Sequence, residues 1–586
     1  MKKIKVLFVA VLLMNFSACT KKEPPHKTVA TPEIATSEAL VAPNLNKLNN
    51  NELKIGMGQE FENFNPLIAT MNATTIMSKL VMRDLVTIDA DGKWVPQLAK
   101  SIPTLDNGGA KLVTVAGAKK VEAIWEIIET AVWGDGKPVI CDDFSFAVKV
   151  ASAATVSIGE KEVYTQVEKI SVDPLNPKKC TFTYDKAKWD FYQLGTFHAL
   201  PKHLEEKIFN MHGAENAGYE KNSLYVKDPY NVGLYNGPYI IQEIQLGDHV
   251  TFVQNPKWYG EPSKIKKIIF KLIPNSGTLE ANLRSGTIDM ISTLGLALDQ
   301  ALAFDKKVKT ESLPFTVLFQ PSTVYEHIDL NLDNPALKDV KVRKALNYSI
   351  NREELVNSLF EGKQTPAIHS ITPKDPWYTD DPAKVTIYKY SPRDAERLLD
   401  EAGWKRGPDG IRVKAGKKLS FTLMTTAGNK TRELVQVYLQ NGWKQIGIEV
   451  NSKNEPARVF FGETTKKRAF DSMALFAWVS SPESSPKPTF LSTNIPTEKN
   501  GYSGQNQMGW KNKEVDKLLM ALDLEFVHEK RIQLVHQTLK HYTEDVPVLP
   551  LYYRSDVAVI PIHLKGFRLT GHQFPETNEV EKWNLE

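Results

Sequence analysis

The chain has 586 residues, with 73 lysines and arginines against 69 acids and a net charge of +4. That near-balance excludes the basic excess a nucleic-acid binder needs, and the length exceeds what one hydrophobic core serves, so two or three lobes are expected. Catalytic motifs are missing too: "GYSGQ" (501–505) lacks the last glycine of a serine-hydrolase elbow, "GNKT" (428–431) lacks the upstream half of a phosphate loop, and no His-Glu-x-x-His occurs.

At the amino terminus Lys2, Lys3 and Lys5 precede nine apolar residues, Val6 to Met14. A bilayer span needs about 20, so this run suits the apolar part of an export signal. Ser17 and Ala18 stand directly before Cys19, which resembles the lipobox of bacterial lipoproteins, with Phe16 where that pattern prefers Leu. The resemblance implies that residues 1–18 are a signal peptide and that Cys19 carries lipid, anchoring the chain to a bacterial membrane on its extracytoplasmic side. A secreted protein with an incidental cysteine is the alternative. Residues 19–50 read as the lipidated cysteine and a flexible tether, rich in Pro, Thr, Ala and Asn. As a coil it reaches roughly 30 Å. Without the signal, 70 bases face 69 acids, and Cys141 and Cys180 are the cysteines left beyond the anchor. A disulfide between them and a pair of buried thiols both stay open.

Ordered structure is expected from the alternating strand at 52–58. Alternation also predicts strands at 121–127 and 546–553, the second an edge strand because it contains Pro550. Gly286 is expected to end a helix ahead of a strand. Asn351 with Glu354 reads as a capping pair for a helix closed by Gly362. Ser391 and Pro392 open another, closed by Gly403, with Ala395, Leu398, Leu399 and Ala402 on its apolar face. The acid pairs Asp142-Asp143 and Asp380-Asp381 are expected to be solvated, pointing to opposite faces if in strands. His203, His528, His536 and His541 fall on helical surface positions as solvated or capping groups. The chain is mixed α/β.

Several segments then fall into a familiar order: "NFNPLIAT" (63–70), "LVTIDADGKWVPQLAKS" (85–101), "WGDGKPVICDDF" (133–144), "NGPYIIQEIQLGDHVTFVQNPKWYG" (236–260), "LRSGTIDM" (283–290) and "LKDVKVRKALNYSINREELV" (337–356), followed by "AERLLDEAGW", "LQNGWKQIGIEV" and "EVDKLL". Together they resemble the extracytoplasmic solute-binding proteins of ABC transporters, in the large oligopeptide/dipeptide-binding family. The glycines among them serve tight turns, so these motifs mark the fold and do not form a site.

The resemblance implies an α/β fold of two hinged lobes with an inserted domain. Lobe I takes 51–80, 205–318 and 560–586, the insert 81–204, and lobe II 319–559. It implies a ligand enclosed between lobes as they close, a peptide as that ligand, an ABC permease as partner, a monomer, no cofactor and no reaction. The loop "FAWVSSPESSPKPTFLSTN" (476–494) is similar to the family loop whose Asp pairs with a peptide ammonium; here Ser481 replaces it. Glu483 is expected either to substitute for that Asp or to be a solvated loop carboxylate. Trp478 reads as a cleft wall or as lobe core, Ser480 and Ser481 as loop contacts, and Tyr502 as part of the cleft or of a glycine-rich turn. Phe64 and Asn65 are the expected contacts from lobe I. His198 and His369 are candidates only if the cargo is a metal chelate or haem, as in some relatives. The same fold is also compatible with a cell-wall peptide or a sugar as cargo, and with a sensor role at a membrane receptor.

Overall fold

Leu53, Ile55 and Met57 alternate into the core from the strand Glu52–Met57. The computed structural model describes residues 51–586, apart from positions 70, 157, 159, 160, 501 and 503; the signal segment, Cys19 and the tether lie outside the described residues. Gly56 in this strand is needed for a close approach, since a Cβ there would lie 2.5 Å from Ile288 Cδ1 and 2.7 Å from Leu279 Cδ2. Gly286, with φ of 75°, follows the helix Ser276–Arg284 and precedes the strand Met290–Ile291.

The fold has two lobes because two long strands run through both. Phe315–Leu330 and Val548–Pro561 pair antiparallel, but their register shifts between Pro321 and Tyr325. On one side of the shift, Val559 lies against Ile291 and leads into Met290–Ile291, Glu52–Met57, Lys267–Leu272, His249–Gln254 and Tyr239–Gln245. On the other side, residues 324–330 pair with Met473–Val479, which continues to Ser420–Thr426 and Glu449–Glu455. One 11-stranded sheet therefore serves both lobes. The expected boundaries at 318/319 and 559/560 fall inside these two strands, and the register shift marks the crossing.

Pro550 corrects one expectation. Its strand is central, paired with Phe315–Leu330 and with the short strand Thr365–Pro366. The proline sits opposite His327 at a second register shift, where the ladder is already interrupted and a missing N–H costs little.

The insert is built on a four-stranded antiparallel sheet with Ala118–Glu126 and Asn176–Tyr184 in its middle. Cys141, first residue of the helix Cys141–Ser152, is bonded to Cys180 on Asn176–Tyr184, with Cα atoms 6.2 Å apart. Asp143 is not the solvated residue expected. It sits in the first turn of that helix and accepts bonds from Ile140 N, Lys202 N and Trp133 Nε1. Burial outweighs these bonds and pushes its carboxyl up to about 6. Asp142 pairs with Lys202 at 2.9 Å. The insert shares an apolar core with lobe I, while lobe II packs around residues such as Leu346, Leu399, Leu439 and Trp443.

Local helix signals carry through. Asn351 accepts from Glu354 N at 3.2 Å and Ser391 from Asp394 N at 3.3 Å. The helix Arg352–Phe360 ends on two left-handed residues, Glu361 and Gly362, where one was expected. Among the described residues no helix is long and apolar enough to cross a membrane.

Candidate functional site

Between the lobes three hollows meet at Val479, which ends the strand Met473–Val479 and is 64% exposed. The largest, about 520 Å³, is walled by lobe I and the insert and bordered by Phe64 and His198. A second, about 220 Å³, lies by the hinge at Thr323 and Val324. The third, about 290 Å³, enters lobe II between Trp478, Ser480, Ser481 and the residues Tyr325, His327 and Asp329. Trp478 also borders a further hollow of about 610 Å³ that Tyr502 helps to line.

On the lobe I side, Phe64 packs edge-on to Phe252 with centroids 6.1 Å apart and presents little surface. Asn65 is fully buried: Oδ1 accepts from Leu67 N, Nδ2 donates to Ser223 Oγ, and its carbonyl accepts from Ile68 and Ala69. It holds the turn that positions Phe64 and does not border any of these hollows. His198 does border one. Its Nδ1 lies 2.5 Å from Asp84 Oδ1, while Asp84 Oδ2 takes Lys79 Nζ at 2.5 Å. Burial would raise the Asp84 carboxyl, but His198 and Lys79 outweigh it and hold it below the usual aspartate range. His369, by contrast, is core. Its Nε2 meets Thr379 O at 2.7 Å, and burial lowers its pKa to about 4. It is no candidate for metal or haem.

In lobe II, Ser480 is tied to the hinge by N–H and Oγ bonds to Thr323 O at 3.2 and 3.3 Å. Glu483 meets neither expectation. Its φ of 58° turns the side chain out of the cleft, where Oε2 lies 3.5 Å from Tyr192 Oη and Oε1 lies 3.4 Å from His528 Nδ1. It is buried, and its N–H donates to Asp375 Oδ2 at 3.0 Å. Burial pushes Asp375 up to about 7, against bonds from Trp377 N and Glu483 N. His528 therefore contacts Glu483, and His536, with Nε2 3.2 Å from Trp377 O, is half-buried.

Tyr325, His327 and Asp329 escaped sequence reading. Their signal is the period-two polar alternation in "YEHID" (325–329), whose other face carries Glu326 and Ile328. It looked like an ordinary strand.

The hinge hollow is lined by Asp556 and Glu576, pushed up by burial to about 6 and about 7, the glutamate also by the aspartate's charge. Raised carboxyls bind protons more tightly folded than unfolded, so their stabilisation is complete below about pH 4 and fades as pH rises through 6 to 7. Glu576→Gln should flatten that alkaline decline, read as melting temperature from about pH 5 to pH 8; an unchanged slope would exclude Glu576 as a source.

The model for bacterial extracellular solute-binding proteins, family 5 (middle), matches residues 93–500. The chain is 26% identical over 541 residues to the oligopeptide-binding protein AppA of Bacillus subtilis (strain 168), covering 91% of each. It superposes with a TM-score of 0.66 on the oligopeptide-binding protein of Thermus thermophilus complexed with a pentapeptide, at 27% identity over 92% of this chain and 96% of that one. NikZ of Campylobacter jejuni, in complex with Ni(L-His), gives a TM-score of 0.66 at 25% identity over 92% and 99%. With two lobes hinged on shared strands around a cleft, and a family match across 93–500, the chain belongs to the family 5 extracellular solute-binding proteins of ABC transporters.

Proposed function

We propose that this protein captures peptides in the interlobe cleft and delivers them intact to an ABC permease, from a lipid anchor at Cys19 on the extracytoplasmic side of a bacterial membrane. One observation carries the peptide reading. Met473–Val479 pairs along its length with Phe315–Leu330, but with Ser420–Thr426 only through Met473 and Ala474. Among the described residues, 476–479 therefore have an unpaired edge beside the hollows that Trp478 borders. An extended peptide added to such an edge is held through its main chain, whatever its side chains. The flanking hollows then accept varied side chains, with Trp478, Tyr502, Ser480, Ser481 and Phe64 as walls. AppA and the pentapeptide complex from Thermus support the same cargo class.

The mechanism is closure. A ligand bridging both lobes favours the closed state by its differential affinity for that state, and the register shift in the paired long strands is where the lobes turn. The protein acts as a monomer, without a cofactor and without changing its cargo. His198 favours a second reading: its Nδ1 is committed to Asp84, which orients the ring at the edge of the hollow of about 520 Å³. A metal chelate such as the one NikZ holds would find an imidazole there.

Native mass spectrometry of freshly purified protein tests both. Released peptide masses are expected; a metal chelate supports the second reading, and cargo that turns over on incubation overturns the binder. For the anchor, Cys19→Ser should move the protein from the membrane pellet to the soluble fraction. Retention on membranes through a carbonate wash would refute lipidation.

A further inference from the structure

We propose that the hollow of about 290 Å³ in lobe II is a subsite for a cationic group of the ligand, an ammonium or guanidinium, held by Asp329 with His327 beside it. Tyr325, His327 and Asp329 lie two apart on the strand Phe315–Leu330, so all three present to the same face and line this hollow. Asp329 is 1% exposed, yet its Oδ2 has no hydrogen-bond partner among the described residues. His327 Nε2 and Ser370 Oγ, in the same hollow, are also without one.

His327 is held beside Asp329. Its Nδ1 lies 3.2 Å from Tyr325 O and so carries the hydrogen. On the other side of the ring, Nε2 lies 3.3 Å from Asp329 Oδ1. The ring is fixed in that pose by stacking on Tyr325 at 4.8 Å and by Phe476 at 4.6 Å.

Charge complementarity points the same way. The second carboxylate of the hollow, Asp375, is already engaged by Trp377 N and Glu483 N, which leaves Asp329 as the one with a free oxygen. No lysine or arginine lines the hollow among the described residues. A buried carboxylate oxygen without a hydrogen bond is costly, and a ligand cation compensates it. Trp478, Tyr542 and Phe490 add aromatic walls, which suit a cation as well.

The proposal specifies the cargo of the peptide reading and rests on it, and the test separates the two. Calorimetry on the mature protein, stripped of co-purified cargo, compares trialanine with N-acetyl-trialanine. A second pair is N-acetyl-Ala-Lys-Ala amide against its norleucine counterpart, and agmatine serves as a non-peptide cation. The charged member of at least one pair should bind about 10- to 100-fold tighter. The first pair responding assigns the site to the terminal ammonium, the second to a basic side chain. Asp329→Asn should bring the charged-to-neutral affinity ratio to about one. If wild type shows no preference, or Asp329→Asn keeps it, the subsite is wrong and the peptide reading survives. If no peptide binds but agmatine does, with the same dependence on Asp329, the peptide reading falls and the subsite stands. If neither peptides nor agmatine show that dependence, the subsite falls. Should Asp329→Asn lose its cooperative melt, the wild-type preference and Asp329→Glu decide, an unchanged preference in the longer side chain overturning the proposal.

Discussion

Glu326→Gln should lower the free energy of unfolding by about 3–5 kcal/mol, measured by chemical denaturation. Glu326 lies on the long strand Phe315–Leu330, fully buried, and faces away from the lobe II hollow. Arg432 reaches it from the helix Lys430–Gln445, with Nη2 3.1 Å from Oε1, and Arg554 reaches it from the partner strand Val548–Pro561. Burial alone would raise its carboxyl, but the two guanidinium groups outweigh that and hold it below the usual glutamate range. The lowered value means the stabilisation is complete above about pH 4 and is lost as pH falls through the folded pKa. Removing the charge leaves Arg432, 8% exposed, without its counter-ion. A loss below about 1 kcal/mol would mean that water already screens the cluster. Because Arg554 adjoins the register shift between the lobes, the variant is also expected to change how ligand binding alters the particle dimensions in small-angle scattering.

The second large effect concerns the insert. Replacing Cys141 and Cys180 together by serine should destabilise it by about 4 kcal/mol, since the bond closes a segment of separation 39 and limits the unfolded chain accordingly. Both sulfurs lie in apolar surroundings, with Cys141 unexposed and Cys180 at 3%. Hydrogen exchange should report the loss first in Ala118–Glu126 and Asn176–Tyr184. Unfolding that is identical with and without reductant would refute a role for the bond. Since the insert and lobe I share one core, an unfolding insert also weakens the wall that carries His198.

Some of the site was readable in advance and some was not. Trp478, Ser480 and Ser481 border the lobe II hollow and stand in the loop that the family resemblance had marked, while Tyr502, which follows that loop, lines the neighbouring hollow. Asn65 was marked by the same route, but its amide is consumed by its own turn and by Ser223, 158 residues away. Glu483 was misjudged because its direction depends on a left-handed backbone angle and on Tyr192, 291 residues distant. Asp329 drew no attention because a lone Asp in an alternating strand reads as a solvent-facing residue until something covers that face.

The sequence by itself determined what nearest neighbours can enforce. Ser391 and Asn351 cap their helices, Leu53, Ile55 and Met57 alternate inward, and the ordered motifs identify a two-lobed binder, because turns, caps and strand faces depend on residues a few positions apart. Only the tertiary structure decided that Pro550 is central, that Asp143 is buried, that Cys141 meets Cys180, and that Asp329 ends beneath a cavity with an oxygen to spare. Burial and hydrogen-bond satisfaction are properties of whatever packs alongside, and in this chain those neighbours come from elements tens to hundreds of residues away.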